Sequence, residues 1–528
     1  MRRGFITRPW LWIGGSLAAM AVLGLALWNP MKPKAPRGDL VLFCAAGLLR
    51  PVQEICADYE KQYAVKVRIE PDASGTLLSK IRIAPDCADL FLAAEEFYVR
   101  EARSQGLVAE VFPVARQQLV IGVKPGNPKK IAAVADLLRE DVTVALPNPE
   151  AAAVGEAAKR ALVLSGEWEA LQRQMRDFPA KVSLVGRVTE AAQAVKIGTT
   201  DAAIVWDATA RQFELEMVEV STFRQQPPEL VTLGVLVGSS NPTGALNFAR
   251  YLTASDRGEP VFKKHYLEPL DDADRWEDRP RLILMAGAML KPAIDGLVKS
   301  FEQREGVEIN RIYGGCGIHV ASMKAMKKGE AVSAAEHFPD AYFACDVSFM
   351  NNVQQWFEAS KVISRNDMVL AVPKGNPKQI KSIEDLTRPE LCVGLGHPKN
   401  SALGALTDEL LKKLSLHDRV YAPDRNPPVI HTDAGHMLVN QMRTGALDVV
   451  VVYRSNVLSA AEVAKTPLEI VEMNLPEAKA IQPYAVAKDS QHKYLMRRLL
   501  DAILSPRSHE HFTKEGFQWL ADGEPNAR

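Results

Sequence analysis

The sequence has no excess of either charge and lacks two motifs that mark common enzyme classes. Its 528 residues include 64 Lys and Arg against 64 Asp and Glu, so charge gives no argument for nucleic-acid binding. Neither a GxSxG nucleophile motif nor a GxxxxGKS/T phosphate loop is present. Because nothing pairs a nucleophile with an oriented base, we expect a protein that is not an enzyme and needs no cofactor.

Cysteine is also scarce, and no CxxC pair occurs. The cysteines fall three in each half of the chain, and an odd number per half argues against a complete disulfide framework. We therefore expect buried free thiols rather than structural disulfides. The six cysteines are Cys44, Cys56, Cys87, Cys316, Cys345 and Cys392.

One long uncharged run stands near the N-terminus, at residues 10–28, with basic residues on both sides. Its length suits a membrane-spanning helix, which needs roughly 20 residues. The apolar region of a cleaved signal peptide is usually shorter, about 7–15 residues. We predict that residues 1–38 form a membrane anchor with the remaining chain on the periplasmic or extracellular side. A cleaved signal peptide is the alternative.

The remaining chain repeats itself. "VKPGNPKKIAAVADL" begins at Val123, and "VPKGNPKQIKSIEDL" begins 249 residues later at Val372. Three further matches, such as "DAAIVWDA" with "DVVVVYRS", follow the same order at nearly the same spacing. A unit of this size is a domain rather than a solenoid repeat. We predict two domains at 39–270 and 282–528, joined by the charged linker 271–281.

Each copy alternates short apolar runs with helical patterns. In the first copy, residues 51–63 and 155–165 have helical patterns. This alternation predicts an α/β fold of parallel sheets with helices on both faces, and such sheets bind ligands beyond the carboxyl ends of their strands. The predicted strands of the first copy are residues 40–44, 66–70, 90–93, 118–123, 143–146 and 202–206.

Four strand–helix junctions recur in both copies. They are "CAAGLLRP" with "AGAMLKP", "ASGTLLSKI" with "GGCGIHVASM", "PNPEAAAVG" with "GHPKNSALG", and "VWDA" with "VYRS". Helix N-termini present unpaired N–H groups and a positive dipole end, so several of them at one cleft could hold an anion. The alternative is that the glycines only permit turns and that Ser74 only caps a helix.

The order of these motifs resembles the molybdate-binding members of the extracellular solute-binding proteins of ABC importers, which have the type 2 periplasmic-binding-protein fold. The resemblance covers nearly everything after Gly38, twice. It implies two α/β lobes in each copy, with the ligand held between them and a hinge closing the cleft. Carried over by position, the implied ligand-binding residues are Gly47, Ser74, Gly75, Val154, Val188 and Trp206 in the first copy, and Met289, Cys316, Gly317, Leu403, Gly435 and Tyr453 in the second.

The sequence departs from the pattern of this family at its hydroxyl groups. The family holds its tetrahedral oxyanion with two hydroxyls, backbone N–H groups and a tyrosine. The position of its first serine is Gly47 in one copy and lies near Met289 in the other, and the tyrosine survives only as Tyr453. The second hydroxyl is shifted or lost, with Ser74-Gly75 in one copy and Cys316-Gly317 in the other. Neither copy therefore has the full molybdate set, which leaves open another anion, an organic ligand, or loss of binding in one copy.

We expect a membrane-anchored solute-binding protein that delivers a small molybdate- or tungstate-like anion to an ABC permease. The alternative is a sensory or scaffold ectodomain that kept the fold without transport. A zinc or copper site is a weaker hypothesis. It would use Cys316 and His319 with His337, or the pair His431 and His436 that flanks Asp433.

Overall fold

The computed structural model describes residues 38–330, 337–458 and 467–521, and these form two successive copies of one α/β fold. The predicted membrane helix at residues 10–28 lies outside these ranges. Among the described residues, no helix is both long and apolar enough to cross a membrane.

The first copy alternates strands and helices as predicted. Its strands are β1 (Leu40–Ala45), β2 (Val67–Asp72), β3 (Leu90–Ala93), β4 (Val108–Gln117), β5 (Leu119–Val123), β6 (Val144–Pro147), β7 (Val182–Val185), β8 (Ala202–Trp206), β9 (Glu216–Val218) and β10 (Glu229–Leu236). Its helices are α1 (Leu49–Tyr63), α2 (Ser74–Ile83), α3 (Glu96–Ser104), α4 (Ala153–Leu164), α5 (Trp168–Asp177), α6 (Val188–Ile197), α7 (Asp207–Gln212), α8 (Ser221–Arg224), α9 (Pro242–Thr253) and α10 (Gly258–Lys264), with 3-10 turns at Ala46–Leu48 and Val134–Leu138.

The second copy follows the same order. Its strands are β11 (Arg281–Gly287), β12 (Glu308–Gly314), β13 (Ala341–Phe343), β14 (Lys361–Pro373), β15 (Val393–Gly396), β16 (Ile430–Thr432), β17 (Val449–Tyr453), β18 (Leu468–Val471), β19 (Lys479–Val486) and β20 (Gln518–Trp519). Its helices are α11 (Lys291–Glu305), α12 (Cys316–Lys327), α13 (Val347–Asn351), α14 (Ala402–Lys413), α15 (His417–Val420), α16 (Gly435–Arg443), α17 (Arg454–Leu458), α18 (Lys493–Ile503) and α19 (Pro506–Lys514), with 3-10 turns at Ala288–Leu290, Gln354–Trp356 and Ile383–Thr387.

The sheets are mixed, so the prediction of parallel sheets holds for only part of each sheet. The first copy has two sheets, ordered β2-β1-β3-β10-β4 and β7-β6-β8-β5-β9. Strands β1, β2 and β3 are parallel, as are β6, β7 and β8, whereas β10 runs antiparallel to β3 and β5 antiparallel to β8. The antiparallel strands adjoin the crossings between the two lobes, because β4 leads directly to β5 and β10 returns the chain to the first sheet.

In the second copy one strand serves both lobes. Strand β14 spans thirteen residues and pairs with β19 through its first half and with β17 and β18 through its second half. The two lobes therefore share a continuous ten-stranded sheet. The corresponding segment of the first copy is divided into β4 and β5 by Gln118.

Strand register fixes which positions of the two copies correspond. β1 pairs with β2 and β3 as β11 pairs with β12 and β13, and β5 pairs with β8 as β14 pairs with β17. The side chains that follow these strands can therefore be compared directly. The equivalent positions used below are Ala45 and Gly287, Asp72 and Gly314, Ser74 and Cys316, Phe91 and Tyr342, Ala94 and Cys345, Arg187 and Ala434, and Trp206 and Tyr453.

A buried ionic cluster joins the two copies. Glu305, at the end of α11, accepts hydrogen bonds from Arg498 of α18 at 2.8 and 3.1 Å and from Arg250 of α9 at 3.1 Å. The Arg498 guanidinium also lies 4.1 Å from the centre of the Phe112 ring. Burial raises the pKa of Glu305, but Arg498 and Arg250 outweigh it and hold that pKa below its ordinary value. Glu305 is therefore a charged group shared by two arginines from opposite sides of the interface.

We predict that Glu305→Ala lowers the free energy of unfolding by about 3–5 kcal/mol, since it leaves two buried guanidiniums without their carboxylate. Denaturant titration measures the loss. The matched control is Glu308→Ala, which breaks an exposed pair with Arg279 and should cost about 0–1 kcal/mol. Equal losses in the two variants would show that the buried cluster does not hold the interface.

Candidate functional site

The cleft of the first copy brings together most of the positions predicted to bind a ligand there. Its lining includes Gly47, Ser74, Val154, Val188 and Trp206, which come from both lobes. The first four follow β1, β2, β6 and β7, and Trp206 ends β8. The enclosed volume is only about 20 Å³, which is room for about one water molecule. The structure therefore shows this cleft closed, and a tetrahedral oxyanion needs it to open or expand.

Ser74 does not act as a helix cap. The N-cap of α2 is Ala73, and no side chain caps this helix. The Ser74 Oγ instead accepts a hydrogen bond from the backbone N–H of Ala94 at 3.2 Å. This bond uses an oxygen lone pair, so the hydroxyl proton remains available as a donor at the cleft.

Both copies close through a glycine at the start of the corresponding helix. The Gly75 N–H donates to the carbonyl oxygen of Ala151 in the opposite lobe at 2.8 Å, and a Cβ at Gly75 would lie 2.7 Å from that oxygen. In the second copy, a Cβ at Gly317 would lie 2.0 Å from the carbonyl oxygen of Lys399. Ala151 and Lys399 belong to corresponding loops, so the same lobe contact recurs. In this closed state the Gly75 N–H donates to the Ala151 carbonyl oxygen and so does not donate to a ligand.

The space of the missing family serine is filled from the opposite lobe. A Cβ placed on Gly47 would lie 3.0 Å from Cγ1 of Val188 and 3.4 Å from Oγ1 of Thr209. A serine at this position would therefore force Val188 to shift. Gly47 and Val188 are brought together as predicted, but they meet as packing partners across the closed cleft.

An ion pair between Arg187 and Asp72, which the sequence motifs did not predict, spans the first cleft. The Arg187 Nε lies 3.1 Å from Asp72 in the other lobe, and Lys80 binds the same carboxylate at 3.0 Å. Burial raises the pKa of Asp72, but hydrogen bonds from Lys80, the Ala73 N–H and Arg187 outweigh it and lower that pKa. Arg187 directly precedes Val188, and that adjacency was the available sequence signal.

A second contact, between Arg160 and two glutamates, joins the lobes. Arg160 of α4 contacts Glu95 at 2.5 Å and Glu229 of β10 at 2.8 Å. Burial and the nearby Glu229 raise the pKa of Glu95 to about 8, although Arg160 opposes the shift. Contacts through both Arg187 and Arg160 therefore join the two lobes of the first copy.

The second cleft has the same hydrogen bond to the first residue of its helix, with a cysteine sulfur in place of the serine oxygen. Cys316 begins α12, and its Sγ accepts the backbone N–H of Cys345 at 3.0 Å, in the positions of Ser74 and Ala94. A Cβ on Gly435 would lie 3.4 Å from Cδ2 of Leu403, so these two predicted positions also meet.

Tyr453 and Met289 complete the predicted set of the second copy. Tyr453 ends β17 and is buried, and its hydroxyl has no hydrogen-bond partner among the described residues. Its phenol is close enough to interact electrostatically with Cys316 and Cys345. Met289 is buried in the 3-10 turn before α11. The Tyr453 hydroxyl is therefore a buried polar group that no described residue satisfies with a hydrogen bond.

Three of the four histidines proposed as metal ligands, His319, His337 and His431, face backbone carbonyl groups. A ring nitrogen of His319 lies 3.0 Å from the Ala286 oxygen, and one of His431 lies 3.2 Å from the Gly396 oxygen. His337 similarly lies 2.8 Å from the oxygen of Phe338. Within the described ranges, no group of three or more His, Cys, Asp or Glu side chains could hold a metal ion.

Paired lobes with a cleft between them, repeated twice, define a protein of the periplasmic-binding class. The family of bacterial extracellular solute-binding proteins matches residues 40–268 and 282–518. The chain belongs to this family and contains it in tandem.

Relatives of known description match about half of the chain. The Bacillus subtilis lipoprotein YvgL, described as an ABC transporter substrate-binding protein, is 26% identical over 46% of this chain and 87% of its own. The molybdate-binding protein ModA of Escherichia coli is 26% identical over 49% of this chain and 98% of its own. Among solved structures, the periplasmic molybdate-binding protein of Azotobacter vinelandii is 19% identical over 44% of this chain and all of its own, with a TM-score of 0.38.

We predict that Gly75→Ala and Gly317→Ala each hold one cleft open, because the added methyl group would overlap a backbone oxygen of the facing loop. Small-angle scattering should show a larger radius of gyration for each variant. The control is Gly296→Ala, since a Cβ at this helical position meets no atom within 4 Å. Scattering identical to that of the control would mean that the lobes close without this contact.

Proposed function

We propose that this protein is a membrane-anchored extracytoplasmic solute-binding protein that binds a small molybdate- or tungstate-like oxyanion for import by an ABC transporter. The observation that carries the proposal is the recurring arrangement at the start of α2 and α12, where a side chain accepts a backbone N–H of its own lobe and the next residue, a glycine, meets the opposite lobe. Membership of the solute-binding family and the molybdate-binding relatives support it.

The cleft of the first copy has more groups that can bind an oxyanion than the cleft of the second. Helices α2, α4 and α6 all begin at its cleft, so their positive ends and backbone N–H groups can face a bound anion. The Ser74 hydroxyl adds a donor, and Arg187 adds a full positive charge beside it. We propose that an entering anion competes with Asp72 for Arg187, so that binding exchanges one ion pair for another.

The second copy has different binding chemistry. The positions of Asp72 and Arg187 are occupied by Gly314 and Ala434, so that cleft lacks the ion pair. Its polar groups are instead the thiols of Cys316 and Cys345 and the phenol of Tyr453. We propose that a doubly charged oxyanion binds the first copy more tightly, because the second offers no arginine at the corresponding position.

We predict that isothermal calorimetry on residues 38–528 detects binding within the panel molybdate, tungstate, sulfate and phosphate. Ser74→Ala should weaken it by about 1.5–3 kcal/mol, or roughly 10- to 150-fold, because a hydrogen bond to a charged ligand is lost. Ser79→Ala is the matched control, since that exposed hydroxyl lies on the same helix and donates to the Gly75 carbonyl.

Tyr453→Phe tests the second copy in the same titrations, with Tyr313→Phe as its control, because the Tyr313 hydroxyl bonds Asp295. Failure of all four anions to bind would reject the oxyanion ligand. Binding that stays unchanged in Ser74→Ala and Tyr453→Phe would reject these site residues while leaving the family assignment intact.

Membrane attachment is part of the proposal and is supported by the uncharged run at residues 10–28. We predict that the full chain sediments with the membrane fraction and resists extraction by high salt and by alkaline carbonate. A chain that begins at residue 38 should remain in the supernatant. Recovery of the full-length chain in the soluble fraction, or its processing to a shorter product, would reject an uncleaved anchor.

A further inference from the structure

Four coordinated differences separate the second cleft from the first. Where the first copy has Ala45, Phe91, Ser74 and Ala94, the second has Gly287, Tyr342, Cys316 and Cys345. Two of these changes introduce sulfur at neighbouring positions, and a third removes a side chain beside them. A free buried cysteine usually behaves as a small hydrophobic residue, and that alternative accounts for one replacement more easily than for a matched set.

Gly287 makes the space for one of the sulfurs. A Cβ on Gly287 would lie 2.2 Å from Sγ of Cys345 and 3.3 Å from its Cβ. The alanine that the first copy has at this position is therefore incompatible with the Cys345 side chain in its present rotamer. The Cys345 side chain therefore depends on the absence of a Cβ at Gly287.

The two thiols converge on one point. Cys316 Sγ accepts the backbone N–H of Cys345 at 3.0 Å, and each thiol is close enough to shift the pKa of the other. Both are buried free thiols. A disulfide requires an S–S separation of about 2.05 Å, so the two side chains would rotate toward each other to form the bond.

We propose that Cys316 and Cys345 form a reversible dithiol–disulfide site in the second cleft, which reacts with low-molecular-weight disulfides. The family is extracellular, and disulfides form and persist in oxidising compartments outside the cytoplasm. The bond would join the first turn of α12 to the end of the β13 strand. It would therefore make the second cleft a redox-sensitive counterpart of the serine cleft in the first copy.

The chemistry is two successive thiol–disulfide exchanges. The Cys316 thiolate attacks one sulfur of the external disulfide, which releases one thiolate and leaves a mixed disulfide on Cys316. The Cys345 thiolate then attacks the Cys316 sulfur and releases the second thiolate. Two protein thiols are oxidised, one external disulfide is reduced, and the two protons lost by the protein are taken up by the released thiolates.

The surroundings favour Cys316 as the first nucleophile. Burial raises the pKa of Cys316, but contacts from Cys345 and Tyr342 together with the Cys345 N–H outweigh it and lower that pKa. The pKa of Cys345 is raised by the neighbouring Cys316 and by burial. Because both sulfurs are buried, we propose that the external disulfide reaches them when the cleft opens.

The test equilibrates the full chain with mixtures of reduced and oxidised glutathione. The sample is quenched in acid, denatured, alkylated with N-ethylmaleimide and digested for mass spectrometry. We expect a linked peptide pair that contains Cys316 and Cys345 without maleimide, increasing from a minor to the dominant form as the oxidised fraction rises. Cys87 and Cys392, which are partly buried, report that alkylation was complete. Maleimide on both Cys316 and Cys345 at every ratio would overturn the proposal.

Two variants separate the dithiol from simple packing. Cys345→Ser removes the second thiol, so glutathione should accumulate on Cys316 as a mixed disulfide, and a Cys316 that never carries glutathione would overturn the order of attack. The double variant Cys316→Ser with Cys345→Ala restores the pair of the first copy and should show no redox-dependent change in melting temperature. A wild-type melting temperature that is equally insensitive to the glutathione ratio would also overturn the proposal.

Discussion

The close approach of the two lobes at Gly75 and Gly317 is the constraint on which both clefts depend. A backbone carbonyl of the facing loop occupies the space that a side chain would need at each glycine. The absence of a Cβ therefore lets the start of a helix meet the opposite lobe directly. This contact places the residue before each glycine, Ser74 or Cys316, at the junction of the two lobes.

Within this shared frame, the two clefts differ in chemistry. The backbone N–H of Ala94 binds a hydroxyl oxygen, and the equivalent N–H of Cys345 binds a sulfur. The first cleft has an ion pair between its lobes, whereas the second has glycine and alanine at those positions. A duplicated domain can change in this way without loss of binding by the whole protein, because one copy can retain its binding chemistry while the other changes.

The position of one copy relative to the other is determined by a different kind of contact. The buried Glu305 carboxylate accepts hydrogen bonds from both Arg250 and Arg498. Arg304 forms a further ion pair with Glu110. A buried carboxylate shared by two guanidiniums has a narrow range of acceptable geometry, because each lost hydrogen bond leaves a charge in a poorly solvated place. The interface therefore holds the copies together independently of whether either cleft is open.

The sequence by itself determined the duplication, the α/β class and several strands. The short runs that became β3 and β8 were predicted at their observed bounds, since buried apolar residues flanked by polar ones leave little ambiguity. The predicted parallel sheets failed at β10 and β5, because strand direction depends on where the chain crosses between lobes. Only the tertiary structure placed Ser74 against the Ala94 N–H, Arg187 against Asp72 and Cys316 beside Cys345. These partners are far apart in the chain, and local pattern carries no information on which distant groups the register of a folded sheet brings into contact.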